Sequence, residues 1–454
     1  MMRSMYAGVS GLRVHQTKMD VISNNIANIN TIGFKRSTVS FKDSFNQTVS
    51  ASSAANADRG GMNAQQIGMG SNVSGIVNVM TQGAAQRTDY GSDLMIDGEG
   101  FFIVKDAEGF GFTRAGSFEV DANGNLVNSS GASVCGWKAV DDPDNPGQQK
   151  IIKDLVTPIN IYEGGNLYSP AEKTTQVEFT GNFNQDTNPE QKNTISFFDS
   201  QGNKYSINIM FTKDPTTPNQ WNISLPEADA PAPADHIEVT INGNKKAYLP
   251  KPTLQTTTLT FNTDGKLQSV GGNGTTMTLP ELDMSTLVDE NNQQLNFSAE
   301  TLSQANDPIT IDFSTVTQFQ SKPTVTSQAK DGNTAGNMTG YSIDSNGIII
   351  GTYSNGRSKK LGQIALADFA NPAGLEKSGG SLYRETANSG DFDGIGTDAS
   401  TIGSSLQGGA LEMSNVDLSY EFSEMITTQR GFQANSRIIT ASDEMIQELV
   451  SLKR

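Results

Sequence analysis

The sequence is short of the residues from which most active sites are built. It has one cysteine, Cys135, and two histidines in 454 residues. A lone cysteine excludes an internal disulfide, and so few thiols and imidazoles leave little material for a zinc or copper site. Only 18% of residues are charged, and the balance is acidic: the net charge is −17 and the isoelectric point is near 4.6. Neutralising nucleic-acid phosphates needs the opposite sign, and no zinc-finger, RNP or basic-arm pattern offsets the deficit. Long apolar runs are also missing. The basic N-terminal stretch MMRSMYAGVSGLRVHQTKMDV therefore reads as neither a membrane span nor a Sec signal peptide.

Proline is missing from the first 142 and the last 82 residues, all sixteen lying between Pro143 and Pro372. Proline breaks helices and central strands, so the ends and the middle are expected to differ in architecture. Charge divides the chain in the same way: residues 1–60 carry +4 and residues 410–454 carry −3, leaving −18 in the middle.

The proline-free ends hold helical patterns. From Ser414 to Arg454, the residues Leu418, Phe422, Met425, Gln429, Phe432, Ser436, Ile439, Asp443, Ile446 and Val450 recur in steps of three and four, a mostly apolar, coiled-coil-like seam. A helix of about 35 residues is about 50 Å long, more than a small domain covers, so its seam needs another helix or another chain. Near the N-terminus, Met5, Val9, Leu12, Met19, Ile22, Ile26 and Ile29 form a second seam. Gly8 and Gly11 interrupt it, each at a cost of about 1 kcal/mol relative to alanine, so this helix should form only where its seam is buried. Opposite net charges make the two ends plausible partners. Asn24, Asn25, Asn28 and Asn30, before Thr31 and Gly33, favour helix termination and a turn. Residues 46–75, rich in Gln, Ser, Ala, Asn and Gly, read as an extended or mobile linker.

From Val77 the pattern changes to short alternating strands. Asn123-Gly124 suits a hairpin turn of type I′, and Asn346-Gly347 and Asn355-Gly356 are paired turn signals. The glycines from Gly98 to Gly111 match neither a P-loop nor a dinucleotide fingerprint, and a calcium loop starting at Asp121 would place Ala132 where a bidentate glutamate is required. Segments 193–212, 236–249 and 256–270 each read as two strands about a polar turn, giving antiparallel hairpins, with PEADAPAPADH from Pro226 an exposed spacer. The expected layout is nested. Residues 1–74 hold the N-terminal helix and linker, 75–165 and 326–408 are two parts of a β core, 166–325 form an inserted outer β domain, and 409–454 hold the C-terminal helix. The fold class is mixed but mainly β, with long N- and C-terminal α-helices pairing in a coiled-coil-like layer around nested all-β domains.

An enzyme would have to rest on His15, Cys135 or carboxylates, but His15 lies in a helix and Cys135 in a strand-rich run with no base partner. No catalytic, cofactor-binding or metal residue is assigned. Asn-X-Ser/Thr sites at Asn222 and Asn296 are expected by chance in a chain so rich in these residues.

SNNIANINTIGFKR (23–36) and SNVDLSYEFSEMITTQRGFQANSRIITASDEMIQELVSL (414–452) resemble the paired terminal motifs of the bacterial flagellar axial proteins, the subunits of rod and hook. GEGFFIV with TRAGSF, and YSNGRSKKLGQIALADFANPAGL (353–375), resemble their core domain. FFDSQGNKYSINIMFTK (197–213) is similar to a segment of the insert found in hook-type members, and rod subunits lack so large an insert. The resemblance carries Asn24, Asn25, Asn28, Thr31, Gly33, Phe34 and Lys35, and Gln429, Arg430 and Asn435, as motif residues. It implies a non-enzymatic subunit of a curved tubular polymer, a flexible joint passing torque from motor to filament around an export channel. The implied partners are further copies of itself, the distal rod protein, the hook cap, the hook–filament junction proteins and the flagellar type III export apparatus, with no nucleic acid and no membrane insertion. Export without a cleaved signal to the cell exterior is implied too. A distal rod or other axial subunit is the nearer alternative reading. A secreted β-rich adhesin with a helical stalk is the remote one.

Overall fold

The computed structural model describes residues 2–54, 60–142, 149–185, 190–228, 232–233, 235–254, 258–272, 274–295, 301–304 and 307–452. Asn296 and parts of the Pro226 spacer lie outside them. The fold is mainly β, 44% strand against 16% helix. It divides into two compact units, residues 1–163, 341–351 and 359–454 in one, and residues 164–340 and 352–358 in the other.

In the first unit, the N-terminal helix runs Met2–Ala27 and the C-terminal helix Leu418–Ser451, with a short helix at Ala399–Ile402. Asp417 caps the C-terminal helix by accepting hydrogen bonds from the Ser419 and Tyr420 amides. The β core interleaves the two expected halves of the chain. Phe101–Asp106 pairs with Leu366–Ala367, Gly109–Thr113 with Leu382–Arg384, and Ser133–Asp141 with Ser358–Ile364. Leu94–Asp97 pairs with Ser405–Gly408, and Ala85–Arg87 with Ala410–Glu412. Phe101, Phe112, Trp137, Phe369 and Tyr383 fill its core. Cys135 is buried there, and burial pushes its thiol up to about 12, which makes it an inert packing residue.

Residues 46–54 and 60–75 are not a linker. They belong to a long antiparallel arm in which Ser37–Asp43 pairs with Ser71–Asn78 and Asn46–Ser50 with Gln65–Gly68. Register shifts at Ser40/Phe41 and Thr48/Ser50 break the period-2 pattern, and this hid the strands behind a polar composition. The base of the arm lies on the N-terminal helix, where Ser10 Oγ accepts from the Ser71 amide and Phe41 meets the edge of His15 at 6.1 Å.

The second unit is all β and has its own core. Alternation is strict in Lys204–Lys213, where Tyr205, Ile207, Ile209 and Phe211 point inward. Phe179 stacks on Phe313 at 5.0 Å, and Phe183 meets Trp221 at 4.9 Å. Segments 193–212, 236–249 and 256–270 form the expected hairpins. One pairing departs from the antiparallel expectation, because Gln176–Asn184 and Thr310–Phe319 run parallel. Their separation along the chain leaves room for the crossover that parallel strands need.

The turns are not of type I′. At Asp121, Asn128, Asp199, Asn262 and Asp344, the side chain accepts from the amides two and four residues on, and the glycine three residues on takes positive φ. Asn123 and Asn346 keep ordinary φ. The aspartate or asparagine that opens the loop carries the turn, by the side-chain hydrogen bonding that suits these residues to it.

Candidate functional site

The two terminal helices lie antiparallel. Ser4 meets Ser442, Gly8 meets Ile439 and Asn435, Gly11 meets Asn435, and His15 meets Gly431. Lys18 pairs with Glu424, and Asn25 donates to Glu421. The approach is close because small residues face larger ones. An added Cβ on Gly11 would lie 2.7 Å from the Asn435 amide, and one on Gly431 would lie 2.7 Å from the His15 ring. The glycines that weaken the N-terminal helix are therefore the sites where its partner enters.

The joining face is offset from the predicted seams. On the N-terminal helix it runs Gly8, Gly11, Val14, Ile22 and Asn25, all buried; of the predicted residues, only Ile22 belongs to it. Val9 is exposed, and Met5, Leu12, Met19, Ile26 and Ile29 are half-buried. On the C-terminal helix, Glu421, Thr428 and Ser442 are buried, whereas Leu418, Phe422 and Val450 are exposed and Met425, Phe432, Ile439 and Ile446 half-buried. Small and polar residues, with Val14, Ile22 and Ile439, join the helices within the chain and leave other large apolar side chains outside.

The motif after the N-terminal helix is a clasp. Asn25 exchanges two hydrogen bonds with the Ser37 backbone, and Thr31 donates to Asn28, which donates to Asn24. Gly33 has φ +69°, and its amide donates to the Glu412 carbonyl. Phe34 lies under the Lys377 ammonium at 4.6 Å. Lys35 is the centre of the clasp: its ammonium donates to Glu412 Oε1 at 2.5 Å and to the Thr81 carbonyl at 2.8 Å. Glu412 also accepts from the Gly83 amide and from Arg114 at 3.4 Å, with both its own side chain and that of Lys35 buried. Burial pulls the Lys35 and Arg114 pKa values down against the pull of Glu412, and burial beside Glu412 pushes Tyr383 up to about 12. Asn415 closes the clasp by accepting from the Arg36 amide and donating to the Val79 carbonyl. Of the other motif residues, Asn435 packs on Gly11, while Gln429 and Arg430 face solvent.

These terminal segments are also where the likeness to known proteins begins and ends. Residues 5–35 match the family described as "Flagella basal body rod protein", 95–169 "Flagellar hook protein FlgE/F/G D1 domain", 166–333 "Flagellar basal body protein FlaE D2 domain", and 407–452 "Flagellar basal body rod FlgEFG protein C-terminal". The chain is 40% identical to the flagellar hook protein FlgE of Borreliella burgdorferi across 100% of both chains. It is 37% identical to that of Treponema pallidum, again across 100% of both, and 32% identical to that of Salmonella typhimurium across 99% of this chain and 100% of the other. The chain belongs to the flagellar hook protein family. It is a structural subunit of the bacterial flagellum, and membership implies self-polymerisation into an axial structure.

In this hook subunit, sequence reasoning found the clasp residues Asn25, Gly33 and Lys35 but missed their partners. Glu412, Arg114 and Asn415 come from distant parts of the chain, and no local pattern signals them. Gly8 and Gly11 were read only as weak points of the N-terminal helix, and Gly431 was not singled out; the close approach they allow is a finding of the structure.

Proposed function

We propose that the chain polymerises head to tail into a curved tube that encloses the export channel and acts as a universal joint between motor and filament. The observation that carries this reading is the exposed apolar surface of the paired termini. Leu418, Phe422, Ile426, Ile438, Met445 and Leu449 are all exposed large apolar side chains. A face of this kind on a helix pair closed by small and polar residues is suited to a neighbouring subunit, and a heterologous contact that does not close builds a helix.

In this reading, the seams of Met5, Val9, Leu12, Met19, Ile26 and Ile29, and of Leu418, Phe422, Met425, Phe432, Ile439, Ile446 and Val450, supply contacts between subunits as well as within them. Residues 1–74 and 409–454 make the inner layer, 75–165 and 326–408 the core wall, and 166–325 the outer wall. The distal rod protein lies at one end, the hook cap and later the junction proteins at the other, and the export apparatus delivers the chain to the cell exterior without a cleaved signal. Removing residues 1–23 or 418–454, which leaves Asn25, Lys35 and Glu412 in place, tests the reading. A folded, soluble β core unable to polymerise is expected, and tubes from either truncated chain would sink it.

A further inference from the structure

The antiparallel register has a physical remainder. Ser4 lies against Ser442 and its helix is described from Met2, so from about Met445 onward the C-terminal helix lies beyond the described part of its partner. Residues 445–451 carry the helix about 10 Å further. Met445, Leu449 and Leu452 fall on one stripe of it, in steps of four and three, and all are exposed, Leu452 at 81%. Asp443, Glu444 and Glu448 flank this stripe and are also exposed.

A groove of matching character lies elsewhere in the same unit. The N-terminal helix and the strand Ser71–Asn78 enclose a cleft of about 350 Å³ lined by Tyr6, Val9, Arg13, Thr17, Asn72 and Val73. That volume suits aliphatic side chains, being far larger than a single water needs. Tyr6 and Val9 present an apolar floor, and the exposed Arg3 and Arg13 give its edge the sign opposite to the overhang. Tyr6 to Thr17 spans about 16 Å of helix, long enough to receive the overhang.

We propose that the overhang of one subunit docks in this groove of a second copy, Met445 and Leu449 against Tyr6 and Val9, with Glu448 toward Arg13. This rests on the polymerising reading above. The two surfaces differ, so each subunit offers one and receives the other, a head-to-tail contact of the kind that builds a helix where the rotation does not close. A chain cannot satisfy its own groove. Val9 lies beside the 435–439 turn of its own C-terminal helix, and Leu449 is at least ten residues, about 15 Å, further along.

That separation supplies the test. In full-length chains carrying Val9→Cys with Leu449→Cys, a disulfide needs Cα atoms within about 7 Å, so it forms only between copies. Cys135 is buried and does not compete. Oxidation of assembled tubes is expected to give a ladder of linked chains, and oxidation of dilute monomer none; tubes that assemble without a ladder overturn the contact. In parallel, Leu449→Asp should raise the concentration threshold for assembly about tenfold or more while helix content holds, since it places a charge in an apolar contact. An unchanged threshold counts against the docking. Arg13→Glu combined with Glu448→Arg should assemble better than either change alone, and no recovery removes the predicted charge pairing. Failure of the unaltered chain to form tubes would instead strike the polymerising reading, and the contact with it.

Discussion

Gly33 combines positive φ with a crowded approach, because an added Cβ would lie 2.5 Å from the Ala115 backbone nitrogen. Gly33→Ala is expected to lose about 2 kcal/mol or more, read as a lower urea midpoint for the first unit. Glu412 neutralises two buried cations, so Glu412→Ala should cost about 3–5 kcal/mol by leaving Lys35 and Arg114 unpaired. A matching loss in the same unfolding assay checks it, and a change within 1 kcal/mol, about the size of a surface pair, would contradict it. His15 adds a pH dependence. Its ring packs on Gly431 with Nδ1 buried and unbonded, and burial, aided by Lys18, lowers its pKa. The unfolded chain therefore takes the proton first. Stability of the helix pair should be full above the ordinary histidine pKa of about 6.5 and fall as pH drops through it. Melting curves followed by circular dichroism should show this fall in the parent and not in His15→Gln.

Single elements differed in how far they could be read from sequence, for physical reasons. The hairpins of the second unit were legible because one buried face imposes strict alternation, as in Tyr205, Ile207, Ile209 and Phe211. The arm of residues 37–78 was not, since its register shifts break that alternation and much of its surface is solvated. The terminal helices were legible as helices, but their contact face was not. Apolar spacing points to whichever neighbour buries the apolar residues, and here the intrachain neighbour takes the Gly8, Gly11 and Asn435 side instead. An element-level prediction separates the two faces. Ending the chain at Ser442 removes the overhang but no intrachain contact named above, so the melting of the helix pair should hold within about 0.5 kcal/mol while assembly is lost.

At the scale of the molecule, each unit has a separate core, the one around Phe101, Phe112 and Trp137 and the other around Phe179, Phe211 and Trp221. Calorimetry of the monomer should resolve two transitions, since a domain with its own core can unfold alone. Deleting residues 170–322 should remove one transition and, on the proposed layout in which the insert is the outer wall, change tube flexibility; tubes of unchanged flexibility would count against a role for the insert in bending. The termini carry the central claim that helices closed internally by small and polar residues keep their apolar faces for neighbours. Electron cryomicroscopy of tubes grown from the full chain tests it most directly. The account predicts curved hollow tubes whose innermost layer is the antiparallel helix pair, with Phe422, Met445 and Leu449 covered by adjacent subunits. Tubes in which those side chains face the open channel, or in which the helix pair has come apart, would contradict it.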